Sequence, residues 1–255
     1  MTNKKKIILP RYKVLIEYDG TEFYGWQSQK NMSAIQDEVE GALLKLSQEK
    51  IRIYGASRTD KGVHAHGQVA HFDINRDYTT FEVQGAVNYY LKPQKVSIIA
   101  VEKVNDDFHA RFSAKTKQYT YKIINRIAEP TLLKNRAWHI KEELDINAMT
   151  NALNYLIGIH DFSSFRAAGC QSLSPVKTID SIRLNKIDNE INITFIAKSF
   201  LYNQIRIMVG TLSDFGKGKF PPSYMKKIIK ARDRRLAGIT APSCGLYLDK
   251  ISYHS

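Results

Sequence analysis

An arginine and a carboxylate stand two residues apart in the run Gly55-Ala56-Ser57-Arg58-Thr59-Asp60-Lys61-Gly62-Val63-His64-Ala65-His66-Gly67-Gln68-Val69-Ala70-His71-Phe72. Glycines at 55, 62 and 67 allow tight bends and close approach of another molecule. A carboxylate at a strand-to-turn junction can act as a nucleophile, and a neighbouring guanidinium suits a phosphate or an extruded base. An aspartate capping an ordinary turn would account for Asp60 alone, but not for the whole run. His64, His66 and His71 invite a metal assignment, yet no carboxylate or cysteine lies at ligand spacing, so structural or substrate-contacting histidines are the better reading. Gly216-Lys217-Gly218-Lys219 lacks the spacing and the Ser/Thr of a phosphate-binding loop. From Asp214 to Arg235, eight basic residues face two acidic ones, a surface suited to a phosphate backbone or simply to water.

The surrounding pattern predicts the elements that must hold these groups. Residues 11–18 alternate, with Tyr12, Val14, Ile16 and Tyr18 on one face of a half-buried strand. Ser33-Ala34-Ile35-Gln36 reads as a capping box opening a helix with Ile35, Val39, Leu43 and Leu46 at helical spacing. Strands follow at 51–56 and 67–73. Thr79 and Glu82 form a second capping box before a helix to Leu91, with Pro93 beyond it, and a strand at 96–104 closes this half. The order β-α-β-β-α-β suggests a ferredoxin-like unit. The second half reads as a strand at 118–125, a helix from Ile146 to Ile157, and a hairpin of 178–186 with 191–198 turning at Asp188-Asn189. Helices at 203–215 and 224–232 and a strand at 246–252 complete it. The division falls near Asp106–Ser113, giving halves of 1–106 and 107–255 with no flexible linker.

Composition bounds what such a chain can do. Its 255 residues suffice for a substantial core, and 43% hydrophobic with 11% aromatic residues excludes wholesale disorder. Basic residues outnumber acidic ones by 38 to 25, a net charge of +13, and the pI is near 9.6. A polyanion partner, nucleic acid before membrane, follows from that balance. No apolar run approaches the ~20 residues of a membrane helix, and Ile7-Ile8-Leu9 is too short for a signal peptide core. Cys170 and Cys244 form no CxxC pair and fit a reduced, cytoplasmic protein without disulfides or structural zinc.

Arg58-Thr59-Asp60, followed by Gly62-Val63-His64, resembles the active-site signature of the TruA family of tRNA pseudouridine synthases. Tyr18-Asp19-Gly20-Thr21, Gly25-Trp26-Gln27, Phe108 to Ala114, Tyr119-Thr120-Tyr121, Gly158 to Arg166, Phe200 to Gly210 and Gly245 to Leu248 resemble further segments of it. Lys61 stands where alanine is common, at a position the resemblance turns toward RNA or solvent.

The resemblance implies an α+β fold of two fused ferredoxin-like halves, sharing a central, mostly antiparallel sheet with the active-site cleft between them. It implies isomerisation of uridine to pseudouridine at positions 38, 39 and 40 of the tRNA anticodon stem and loop, by a homodimer. The reaction gains and loses no atoms, so no cofactor and no metal is required. Asp60 would be the nucleophile, attacking either C1′ or C6, and Arg206 the cation that holds it charged and aimed. An exposed arginine on an amphipathic helix is the competing reading of Arg206, disfavoured by its neighbours Ile205, Ile207, Met208 and Val209.

Tyr119 would stack on the target base and is a candidate for taking the C5 proton. Tyr121 shares its strand face, and either residue could instead be core. Arg58 would enter the space vacated by the flipped base, and Leu246 would line the uracil pocket, although a strand leucine is core by default. Two other classes compete. A non-catalytic RNA-binding protein would tolerate loss of Asp60 or Arg206, and both are present. A nucleoside hydrolase would show a second carboxylate or an aspartate cluster, and neither is found.

Overall fold

The computed structural model describes residues 9–253. These divide into two compact units, residues 9–114 with Tyr253, and residues 115–252. Both mix helices with mostly antiparallel strands.

In the first unit, β1 (Arg11–Tyr18) pairs antiparallel with β3 (His64–Asp73) and with β4 (Val96–Val104), and the short β2 (Tyr54–Gly55) pairs with β3. The strand order is therefore β4-β1-β3-β2. Alternation does the work in β1: Tyr12, Val14, Ile16 and Tyr18 are all buried. Helix α1 (Ile35–Ser47) buries Ile35, Val39, Ala42 and Leu43, and packs against α2 (Thr80–Leu91), whose Val83, Val87 and Leu91 face inward.

The two capping boxes fare differently. Thr79 and Glu82 form theirs, each side chain accepting the other's backbone N–H. Ser33 does not: the N-cap is Ala34, and no side chain caps this helix. Instead the N–H groups of Ile35 and Gln36 donate to the carbonyls of Gly25 and Trp26, at 3.1 and 3.0 Å. Residues 51–53 do not join the sheet either. Ile51 and Ile53 are buried, but the Ile53 N–H is taken by Glu40 Oε1 of α1 at 3.1 Å. Strand β3 starts at His64, three residues ahead of the predicted start.

In the second unit, the sheet runs β11 (Leu246–Ser252), β5 (Thr116–Asn125), β10 (Glu190–Ala197), β9 (Ser181–Ile187), all antiparallel. The β9–β10 hairpin turns at Asp188, which adopts φ 50°, as a tight hairpin turn demands. The sequence pattern missed β6 (Trp138–Ile140), which lies parallel to β5, and β7 (Gly158–Asp161); the strand read at 178–186 divides at Asp180 into β8 (Val176–Ile179), which pairs with β7, and β9. Helix α3 (Ile146–Leu153) ends before Ile157, because Asn154–Leu156 tightens into a 3₁₀ turn and Gly158 takes φ 101° to enter β7. Helices α4 (Gln204–Gly216) and α5 (Tyr224–Ala231) follow; α4 is buried along most of its length, its polar Gln204, Thr211 and Ser213 included. No helix among the described residues is long and apolar enough to cross a membrane.

Candidate active site

Asp60 and Arg58 share the loop between β2 and β3, and that loop is held at many points. The hydroxyls of Tyr18 and Thr59 share a buried hydrogen bond of 2.7 Å. Trp26 N–H donates to Thr59 O at 3.0 Å, Gly62 N–H to Phe23 O at 3.2 Å, and Val63 N–H to Asp60 O at 3.1 Å. Gln68, wholly buried on β3, clasps Ser57 from both sides, donating to its carbonyl at 2.6 Å and accepting its N–H at 3.2 Å. Gly25 shows why a side chain is forbidden beside this loop. It has φ +93°, and a Cβ there would sit 2.4 Å from Thr59 O. Asp60 is half-buried and Arg58 exposed on this fixed frame. Lys61 is exposed too, its Nζ 3.8 Å from the centre of the Tyr24 ring.

The second unit carries the other predicted residues. Tyr119 and Tyr121 point to the same face of β5, with Leu248 and Leu246 of β11 directly opposite them. Tyr121 is core: it is fully buried, and its hydroxyl donates to Pro242 O at 2.7 Å. Burial pushes its phenol well above the ordinary range, Cys244 adds to the rise, and Arg206 opposes it. Tyr119 is buried to 6% exposure with its ring edge-on to Phe200, centroids 5.5 Å apart. Leu246 is buried to the same degree. Arg206, in the first turn of α4, is half-buried and fixed. Its Nε donates to Ala241 O and its Nη1 to Asn203 Oδ1, both at 2.8 Å, while its own carbonyl accepts the Ala241 N–H at 3.1 Å.

Residues 14–113 and 152–254 match the family model described as tRNA pseudouridine synthase. The chain belongs to the tRNA pseudouridine synthase family. It is 53% identical over 244 residues to a tRNA pseudouridine synthase A of Ehrlichia canis (strain Jake), an alignment covering 95% of this chain and 100% of the relative. The protein of the same name from Paramagnetospirillum magneticum is 48% identical over 245 residues, with 96% of each chain covered. That from Anaplasma phagocytophilum is 46% identical over 245 residues, covering 95% and 100%.

Several groups of this family member escaped the sequence pattern. Asn203 and Ala241 steer Arg206, and Gln68 and Tyr18 hold the Asp60 loop; of these only Asn203, three residues before Arg206, stands at a local spacing from its partner. Gln68 did lie within the signature run, a polar residue in an otherwise apolar strand, and that was the available signal. The histidines separate: His64 is buried with Nδ1 3.0 Å from Asp19 Oδ1, whereas His66 is exposed, 3.8 Å from Glu17 Oε2. In the basic run, Lys217 pairs with Glu142, Lys219 with Asp214, Arg232 with Asp161 and Arg235 with Asp233. Lys226, Lys227 and Lys230 are exposed on α5, away from its buried Met225 and Ile228.

Proposed function

We propose that this chain converts uridine to pseudouridine in the anticodon stem and loop of tRNA, at the family's positions 38, 39 and 40, with Asp60 as the attacking group. The observation that carries the reading is a carboxylate inside the family signature, on a loop tied down at Ser57, Thr59, Asp60 and Gly62. A nucleophile gains most from being held in place, because orientation removes entropy from the barrier. The relatives named tRNA pseudouridine synthase A supply the substrate class.

The reaction breaks the N1–C1′ bond and forms C5–C1′; the C5 proton leaves and N1 regains one. Asp60 attacks C1′ or C6 as the anion, and Arg206 keeps that carboxylate ionised. Tyr119 stacks on the uracil and is the candidate acceptor of the C5 proton, Arg58 fills the space left by the flipped base, and Leu246 lines the pocket. The chain, built of ferredoxin-like halves 1–106 and 107–255, acts as a homodimer in the cytoplasm without cofactor or metal.

Asp60→Asn tests this. The amide preserves shape and hydrogen bonds but has no anionic oxygen, so the variant should fold and bind tRNA yet release no tritium from tRNA labelled at C5 of uridine. A general base could leave residual activity, since its loss costs about 10²–10⁴-fold. Release at a rate comparable to wild type, with no cofactor or divalent metal added, would overturn the assignment of Asp60.

A further inference from the structure

The segment Phe108–Ala114 has no part in the chemistry above, yet it builds an unusual surface. Four rings follow one another in the first unit. Tyr54 stacks on His71 with centroids 5.2 Å apart and planes at 23°. His71 meets His109 at 4.6 Å, and His109 meets Phe112 at 4.3 Å. His109 also lies 6.1 Å from Tyr54, so one imidazole is flanked by both outer rings. The inner part is buried, with His71 only 3% exposed; the outer rings are open, Tyr54 at 49% and Phe112 at 76%.

The open rings do not sit on a loose loop. Ala110 N–H donates to His71 Nδ1 at 3.2 Å and Arg111 N–H to His109 Nδ1 at 3.1 Å. Tyr253 donates its hydroxyl to Ala110 O at 2.8 Å, and Arg11 Nη1 donates to Phe108 O at 2.8 Å. His109 N–H donates to Ser113 Oγ at 3.0 Å. Both imidazole Nδ1 atoms accept, which suits uncharged rings. The Arg111 guanidinium borders the patch, 5.6 Å from the Phe112 ring centre, while Arg52, exposed two residues before Tyr54, pairs with Glu40 Oε1 at 3.6 Å.

We propose that Tyr54 and Phe112, with Arg111 beside the Phe112 ring, form a stacking site for unpaired nucleobases of the RNA substrate, apart from the residues that handle the target uracil. Flat, exposed rings held rigidly lose little entropy on stacking, and every base offers a face to them. The adjacent Arg111 guanidinium matches a phosphate between such bases, in a chain of net charge +13. The proposal rests on the tRNA reading above.

The test is binding of an unmodified tRNA transcript at fixed salt and across a salt series. Phe112→Leu keeps apolar bulk but removes the ring; it should weaken binding about five- to a hundredfold, as should Tyr54→Ala, and leave the salt slope unchanged. Phe112→Tyr should bind as wild type does. Arg111→Gln should lower the slope by about one. Thermal melting checks that each variant is folded. If wild type binds tRNA and Phe112→Leu binds equally well, the stacking site is wrong while the functional reading stands. If wild type does not bind tRNA, the functional reading falls and takes this one with it. A change in sedimentation of Phe112→Leu without loss of RNA affinity would make the patch a protein interface, and would also overturn the proposal.

Discussion

In the proposed reaction Asp60 attacks as an anion, and an anion in a half-buried loop needs fixed positive charge to remain one. Arg206, proposed for that role, is held by its own neighbours. Two of its donors are spent on Ala241 O and Asn203 Oδ1, which fixes the plane of the guanidinium before any substrate arrives. Arg206→Ala is expected to lower single-turnover rates by about 10²–10³-fold, with tRNA affinity changed only a few-fold. Arg206→Lys should recover little, since one ammonium cannot reproduce the planar fork that meets both acceptors. Single-turnover kinetics beside filter binding measures this, and near wild-type rates in Arg206→Ala would exclude the role. Asp60 and Arg58 stand in the signature run itself, and Arg206 in the separate Phe200–Gly210 segment. The surroundings of the two tyrosines were not legible, because Tyr119 and Tyr121 share a strand face; both are buried, Tyr121 with its hydroxyl on Pro242 O and Tyr119 against Phe200.

At the scale of elements, residues 18–26 clamp the Asp60 loop, and the clamp is made of contacts distant in sequence. Tyr18→Phe removes one partner from the buried Thr59 hydroxyl and should cost about 1–2 kcal/mol in urea unfolding. It should also lower turnover more than tRNA affinity, because the loop loses a tether and no RNA contact. Equal turnover in the two proteins would show that the tether is merely structural. The same segment explains the failed prediction at Ser33. The carbonyls of Gly25 and Trp26 already satisfy the first N–H groups of α1, so a local cap is redundant.

A second element-scale consequence concerns pH. Burial, with help from His109 and Arg11, lowers the His71 pKa from 6.5 to about 4. The folded state therefore prefers the neutral ring. Its contribution is complete above about pH 6.5 and is lost as pH falls from there to about 4. The loss over that window is on the order of 2 kcal/mol after allowing for solvent screening. Urea midpoints for His71→Gln should fall less steeply between those pH values than wild type. Parallel curves would contradict the assignment.

For the whole molecule, the excess of basic residues should govern RNA affinity. The ion pairs of Lys217, Lys219, Arg232 and Arg235 do not remove these groups from play, since exposed pairs contribute only about 0–1 kcal/mol and a phosphate can replace the carboxylate. Affinity for tRNA should fall log-linearly with salt, several phosphates being neutralised, and replacing Lys226, Lys227 and Lys230 by Gln should lower the slope. A nearly flat salt dependence in the wild type would refute an electrostatic grip on the RNA. By itself the sequence determined the family, through a run of residues whose types and spacing no ordinary turn requires. It also determined most strands and helices, because burial of one face imposes a period of two or of 3.6 on the local pattern. Only the tertiary structure decided how the Asp60 loop is clamped, what caps α1, why residues 51–53 stay out of the sheet and what orients Arg206. Apart from Asn203, three residues before Arg206, the partners come from other segments of the chain, where no local spacing records them.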